Sequence, residues 1–482
     1  MSREICYTPA SELAVKIRNG SLSPVDVVDA FLDRIEEHNP TINAYVTVCD
    51  EAAREAAREA ERAVESGDDL GPLHGVPVAI KDLTDVKGVK TTNGSRLFAD
   101  NVADEDAIVV DRLKRAGAIV LGKTNTPEFG RKPMTTNLLH GPTGNPWDPS
   151  RTAGGSSGGS GAAVAAGLAP IAQGSDAAGS IRVPSSANGI FGLMPDFGRV
   201  PMGESRADAF VNTHPYTYIG PMARTVEDAA LMLDVIAGPH PSDPFSLPER
   251  DGAYTSVTRR SLDGTSVAYS PDLGICEVDS EIAGIVEEAV DGFRTAGATV
   301  EDVGGVFEQS WTELHDAIEV LLQERYRGMY DNLKRDLDID LLEHRDDVTE
   351  EVVSRIEKSL ELTALDVRRA ERVRTTGYDA VQELLREYDL LVTPTLGMAP
   401  FEKDTQPTEI NDVPIDPLHG WAHTWPINLT GNPTASVPAG FTDDGLPVGM
   451  QVIGRRMADA DVLAASAAFE RVRPWSGVRP PL

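Results

Sequence analysis

Apolar positions in this chain follow two periods, and the switches between them outline the elements. Behind Ser23-Pro24, a capping serine and a first-turn proline, Val28, Phe31, Leu32 and Ile35 recur at helical spacing. They predict a helix that ends at Pro40. Residues 50–65 are rich in Ala, Glu and Arg and predict an exposed helix stopped at Gly67. Short apolar runs predict buried strands at 76–83, 118–121, 169–174, 267–269, 299–303, 390–393 and 449–453. Between them, 107–115, 161–167, 225–236, 280–296 and 458–471 read as helices, the third with Thr225 at its cap and Asp228 three residues on. Residues 130–161 are loop-like, dominated by Gly, Pro, Asn, Thr and Ser. From 311 to 388 the pattern is charged amphipathic helix.

Strands alternating with helices argue for a layered α/β fold. At 482 residues one large domain or two would fit. With no internal repeat and no low-complexity linker, the expectation is a single domain over 1–482. Helices fill 1–70, and 311–388 is expected to form a helical covering subdomain.

Composition narrows the function. The formal net charge is −32, which disfavours direct nucleic-acid binding, because such a chain repels phosphate backbones. No apolar run reaches the roughly 18–20 residues of a membrane helix. Met1-Ser-Arg-Glu-Ile-Cys carries no apolar run like that of a secretory leader. Three widely spaced cysteines, Cys6, Cys49 and Cys276, suit neither a disulfide framework nor a zinc cluster. A reducing cytoplasm is the expected compartment. The acids, 76 against 44 bases, are scattered, and the bases are 34 Arg to 10 Lys. That composition suits a halophilic protein, whose dense carboxylate surface stays hydrated in a salt-rich cytoplasm.

Two pattern matches fail on context. Gly117 to Thr124 reads GAIVLGKT, in form a phosphate loop, but its middle is a buried apolar strand and Pro127 stands where the next helix should begin. Gly155 to Gly159 reads GSSGG, in form a nucleophile elbow around Ser157, but loop precedes it where an elbow needs a strand. Later histidines, His419 and His423, have nothing to tie them to Ser157.

A stronger constellation is the pair GGSSGGS (154–160) and GSDAAGSIRVP (174–184). Ser156 and Ser180 lie 24 residues apart, separated by a helix and a strand. A helix of about ten residues rises roughly 15 Å and a strand of about six returns roughly 20 Å, so the two serine loops come near each other. Loop amides around Ala177, Ala178, Gly179 and Ser180 could face a developing oxyanion. A serine needs a base. Lys81 ends the apolar strand GVPVAIK, where burial should lower its pKa, and alternation puts Asp82 on the opposite face.

These residues resemble the amidase signature family. The matching segments are GVPVAIKD around Lys81, LGKTNTPEFG (121–130), GNPWDPSRTAGGSSGGSGAAVAAGLAP (144–170), GSDAAGSIRVP (174–184), GPMARTVEDAALMLDVIAG (220–238) and GNPTASVPAGFTDDGLPVGMQVIG (431–454). The resemblance spans roughly 10–472. It implies an α/β/α layering around a large mixed sheet and a Ser–cis-Ser–Lys triad. In that triad Lys81 is the base, Ser156 the bridging serine after a cis peptide, and Ser180 the acylated serine. The amides of 177–180 correspond to the oxyanion hole, and Ser157, Asp176 and Arg182 to loop-supporting residues. The implied activity is hydrolysis of a small-molecule amide with no metal and no organic cofactor; a homodimer is possible within the family.

Departures from the family's wording are Ala177-Ala178 in place of the usual small or glycine pair, Met194 and Asp196 for a common Lys and Thr, and Asn188 where Cys is frequent. Thr126-Pro127 departs from the Lys-x-Asn-Met-Asp-Glu-Phe wording of the A-type subunits of tRNA-dependent amidotransferases. A stand-alone amidase is therefore preferred over that branch, and over a catalytically silent interaction protein on the same fold.

Overall fold

The computed structural model describes residues 2–202, 214 and 216–482. Eleven strands form one mixed sheet: β1 (Tyr45–Val48), β2 (Pro77–Lys81), β3 (Ile119–Thr124), β4 (Ile171–Asp176), β5 (Phe191–Met194), β6 (Tyr218–Ala223), β7 (Ser266–Tyr269), β8 (Thr299–Asp302), β9 (Leu390–Pro394), β10 (Thr434–Phe441) and β11 (Pro447–Gly454). Their order is β1-β3-β2-β4-β6-β5-β10-β11-β9-β7-β8. β2 runs parallel to both β3 and β4, whereas β4 is antiparallel to β6.

Both faces of the sheet are covered, which explains why its central strands read as continuous apolar runs rather than alternations. Successive residues of one strand enter different cores. Val267, Leu390, Val392 and Val452 pack with the helices Val226–Ile236, Ser280–Thr295 and Asp459–Val472. Ala268, Leu391 and Ile453 pack with the helices Trp311–Leu337 and Ala364–Glu387. The layering is thus α/β/α. The edge strand β8 ends in the exposed pair Glu301 and Asp302, charges that discourage pairing with another sheet.

Local chemistry sets the boundaries. Ser23 Oγ accepts from the Val25 and Asp26 amides, as its cap position predicts, but the helix runs Pro24–Ile42, past Pro40. In the last turn the missing N–H of a proline costs a single bond, and Asn43 closes the helix in the left-handed region, φ 51°. The small-residue helix spans Gly158–Ala165 rather than 161–167. Its first two glycines sit against backbone and side chain: a Cβ at Gly158 would lie 2.3 Å from Thr135 Oγ1, and one at Gly159 2.4 Å from the Asn125 amide.

Several elements escape the apolar pattern, and the first is a correction: helices do not fill 1–70, because β1 lies between the helices Pro24–Ile42 and Asp50–Ser66. β5 is only four residues long, β6 carries Gly220 and Pro221, and β10 carries Pro438 beside a register shift. The helix Arg182–Asn188 contains Pro, Ser and Asn, a composition that reads as loop; Pro184 is tolerated because it falls in the first turn. No described helix is long and apolar enough to cross a membrane.

Candidate active site

Parallel strands end at the same edge of a sheet, so β2 and β4 deliver their carboxyl ends to one crevice. Lys81 is the last residue of β2, and Asp176 is the last of β4, immediately before the loop that carries Ser180. The Lys81 amide donates to the Gln173 side chain at 3.2 Å, fixing the strand end. Beyond it, Ser157 N donates to the Ser180 carbonyl at 3.1 Å and ties the two serine loops together.

Lys81 is fully buried, and its Nζ lies within hydrogen-bond distance of three hydroxyls: Ser156 Oγ at 2.7 Å, Ser157 Oγ at 2.9 Å and Ser175 Oγ at 3.0 Å. Burial pushes this amine well below an ordinary lysine's pKa; nearby Asp176 opposes the shift and Arg325 adds to it. The peptide between Gly155 and Ser156 is cis. Asp82 turns to the opposite side, as strand alternation predicts, and pairs with Lys123 Nζ at 3.2 Å. Lys123 is therefore the buried partner of a carboxylate inside β3, not a phosphate-loop lysine. Ser157 meets no histidine. Its hydroxyl donates to the Ser175 carbonyl at 3.2 Å while accepting from Lys81. His423 Nε2 lies 3.1 Å from the Glu277 carbonyl, and His419 lies 3.0 Å from His315.

The loop from 176 to 182 is organised by a buried ion pair. Arg182 Nε and Nη2 donate to Asp176 at 3.0 and 3.1 Å, and Arg182 continues to the Thr424 carbonyl and Gln451. Asp176 also accepts from the Asn428 side chain at 2.8 Å. Burial alone would raise the Asp176 pKa, but Arg182 and these donors hold it below the usual carboxylate value. Removing one partner of a buried pair leaves an uncompensated charge. Arg182→Met should therefore lose about 3–5 kcal/mol of stability, read as a shifted denaturant midpoint.

Of the four amides expected at the oxyanion, one has a partner of its own. Gly179 N–H donates to Asp176 Oδ1 at 2.7 Å, so it is already engaged. The amides of Ala177, Ala178 and Ser180 make no such bond to Asp176. Gly179 itself is obligatory, with φ +113° and a Cβ position 1.9 Å from Thr424 Oγ1. Sequence reasoning did not single out Ser175, Gly130 or Thr424. Ser175 was legible only through its place one residue before Asp176, on the strand beside Lys81. Gly130 (φ +68°) lines the cleft beside Ser180, where an added Cβ would stand 3.3 Å from Ser156 Oγ.

Two of the departures from family wording, Asn188 and Asp196, bond away from Lys81 and Ser156. Asn188 donates to the Ala153 and Pro184 carbonyls at 2.8 and 2.7 Å. Asp196 pairs with Arg456 at 2.8 Å, and burial raises its pKa to about 6. Among the described residues one trio, His315, Glu319 and His419, has the ligand types for a metal. There Arg355 donates to both Glu319 oxygens, at 2.6 and 2.8 Å.

A profile of the amidase family matches residues 26–463. The chain belongs to the amidase signature family. It is 41% identical to an acylamidase of Rhodococcus erythropolis, over 98% of this chain and 97% of that one. It is 36% identical to the A-type subunit of the glutamyl-tRNA(Gln) amidotransferase of Carboxydothermus hydrogenoformans, over 99% and 100%. Among solved structures, a bacterial aryl acylamidase of the amidase signature family superposes with a TM-score of 0.92 at 36% identity, covering 98% of this chain and 97% of that one. This amidase is a hydrolase of amide C–N bonds.

Proposed function

We propose that this amidase cleaves a small carboxylic amide to acid and ammonia or amine through an acyl-enzyme on Ser180. Neutral Lys81 accepts the Ser156 proton, Ser156 accepts the Ser180 proton, and Ser180 Oγ attacks the carbonyl carbon. The Ala177, Ala178 and Ser180 amides receive the oxyanion. The relay returns its proton to the leaving nitrogen, and water, deprotonated the same way, releases the acid.

The observation that carries this reading is the allocation of protons around Lys81 Nζ. A neutral amine has two hydrogens and one lone pair for its three hydroxyl neighbours, so one hydroxyl must donate to it. Ser157 directs its proton to the Ser175 carbonyl. Ser156, the nearest at 2.7 Å, has no other described partner and is free to donate. Of the two adjacent serines Ser156 rather than Ser157 is therefore the relay, and it stands nearer the amine than Ser175 Oγ at 3.0 Å.

Ammonia release by the purified chain tests the proposal. Simple primary amides should be hydrolysed without any partner, and free glutamine ignored. Turnover of glutamine only when a partner protein is added would favour the amidotransferase reading, which the relative from Carboxydothermus hydrogenoformans keeps in view. The higher identity to the acylamidase and the Thr126-Pro127 wording favour the stand-alone enzyme.

The net charge of −32 extends the proposal to a salt-rich cytoplasm. The melting temperature should rise with KCl well beyond the concentration that screens an ordinary acidic surface; full stability in dilute buffer would contradict it.

A further inference from the structure

The wall of the cleft beside Ser180 runs against the composition of the chain. Acids outnumber bases 76 to 44 overall, yet among the described residues the cleft is lined by Arg131, Lys132, Arg325 and Arg355 and by no carboxylate. Two of these cations are matched from outside the cleft. Lys132 Nζ meets Glu351 at 3.2 Å, and Arg355 holds Glu319. His419 adds no charge, since burial lowers its pKa to about 3.

The other two are not matched. Arg131 Nε donates to the Glu351 carbonyl at 3.3 Å, but its Nη1 is buried with no hydrogen-bond partner. Arg325 has no hydrogen bond or ion pair among the described residues. A buried guanidinium nitrogen left unpaired is costly, and native proteins seldom keep one without use. Arg131 is also adjacent to the chemistry: it directly follows Gly130, whose Cβ position lies 3.3 Å from Ser156 Oγ.

The planar fork of a guanidinium fits a carboxylate. Resting on the proposed Ser180 chemistry, we infer that the preferred substrate is an amide bearing a carboxylate close to its scissile bond, held by Arg131 with Arg325. The carboxylate can belong to the acyl group or to the amine, and the same two arginines would recognise either.

The test compares matched amides on the full chain at one ionic strength. Succinamate, with an acyl-side carboxylate, is paired with neutral 4-methylpentanamide. N-butyrylglycine, with an amine-side carboxylate, is paired with neutral N-isobutylbutanamide. In at least one pair the anion should be preferred by about tenfold or more in kcat/KM, mainly through KM. Arg131→Met should erase most of that preference, and Arg131→Lys should keep part of it. Equal or better use of both neutral partners by the unmodified enzyme would overturn the inference, whatever the variants do. So would a preference unchanged in Arg131→Met. Should no amide turn over while Ser180 still takes a fluorophosphonate label, the inference fails and the nucleophile stands. An unlabelled Ser180 in folded protein would instead remove the amidase reading beneath it.

Discussion

Ser180→Ala should abolish amide hydrolysis, lowering kcat by about a million-fold, the cost seen when a hydrolase loses its nucleophile. The substitution removes one oxygen from a partly exposed side chain, so the melting temperature should stay near that of the parent. Ser157→Ala provides the contrast. It removes one of three hydroxyls around Lys81 and the bond to the Ser175 carbonyl, and should cost far less than Ser180→Ala. Steady-state ammonia release checks both. Equal losses would mean that the serine has been misassigned.

Lys81→Met is the second large effect. It keeps the volume of the side chain and removes the base, and kcat/KM should fall by about 10⁴-fold. The pH profile identifies the group. In the unmodified enzyme kcat/KM should rise with pH as Lys81 loses its proton, with a midpoint well below the usual lysine range, because burial disfavours the cation. Stability carries the same signature. Between the lowered pKa in the fold and about 10.4 in the unfolded chain, the unfolded state binds the extra proton. Stability therefore rises with pH across that window. Lys81→Met should flatten this rise, measured by urea unfolding at several pH values.

Much of this architecture was readable residue by residue. Lys81 announced itself as a cation ending an apolar strand, and the spacing of Ser156 and Ser180 brought their loops together. The Thr225 cap and the helix behind it followed from four residues. What the pattern could not show depends on contacts distant in sequence. Thr424 fixes the Ala178 carbonyl at 2.9 Å from 246 residues away, and Asn428 reaches Asp176 from 252. The engagement of Gly179 with Asp176 is local but needs the loop's conformation, which no periodicity encodes. β10 hid behind Pro438, and the helix Arg182–Asn188 behind a loop-like composition overridden by its burial between sheet and small-residue helix.

The central claim, that Lys81 acting through Ser156 activates Ser180, is tested most directly by fluorophosphonate labelling with peptide mapping. The rate should be followed across pH in the unmodified chain, Lys81→Met and Ser156→Ala. A single adduct on Ser180 is expected, forming faster as pH rises through the lowered pKa of Lys81 and slowed by orders of magnitude in both variants. An adduct on Ser157, or an undiminished rate on Ser180 without Lys81, would contradict it.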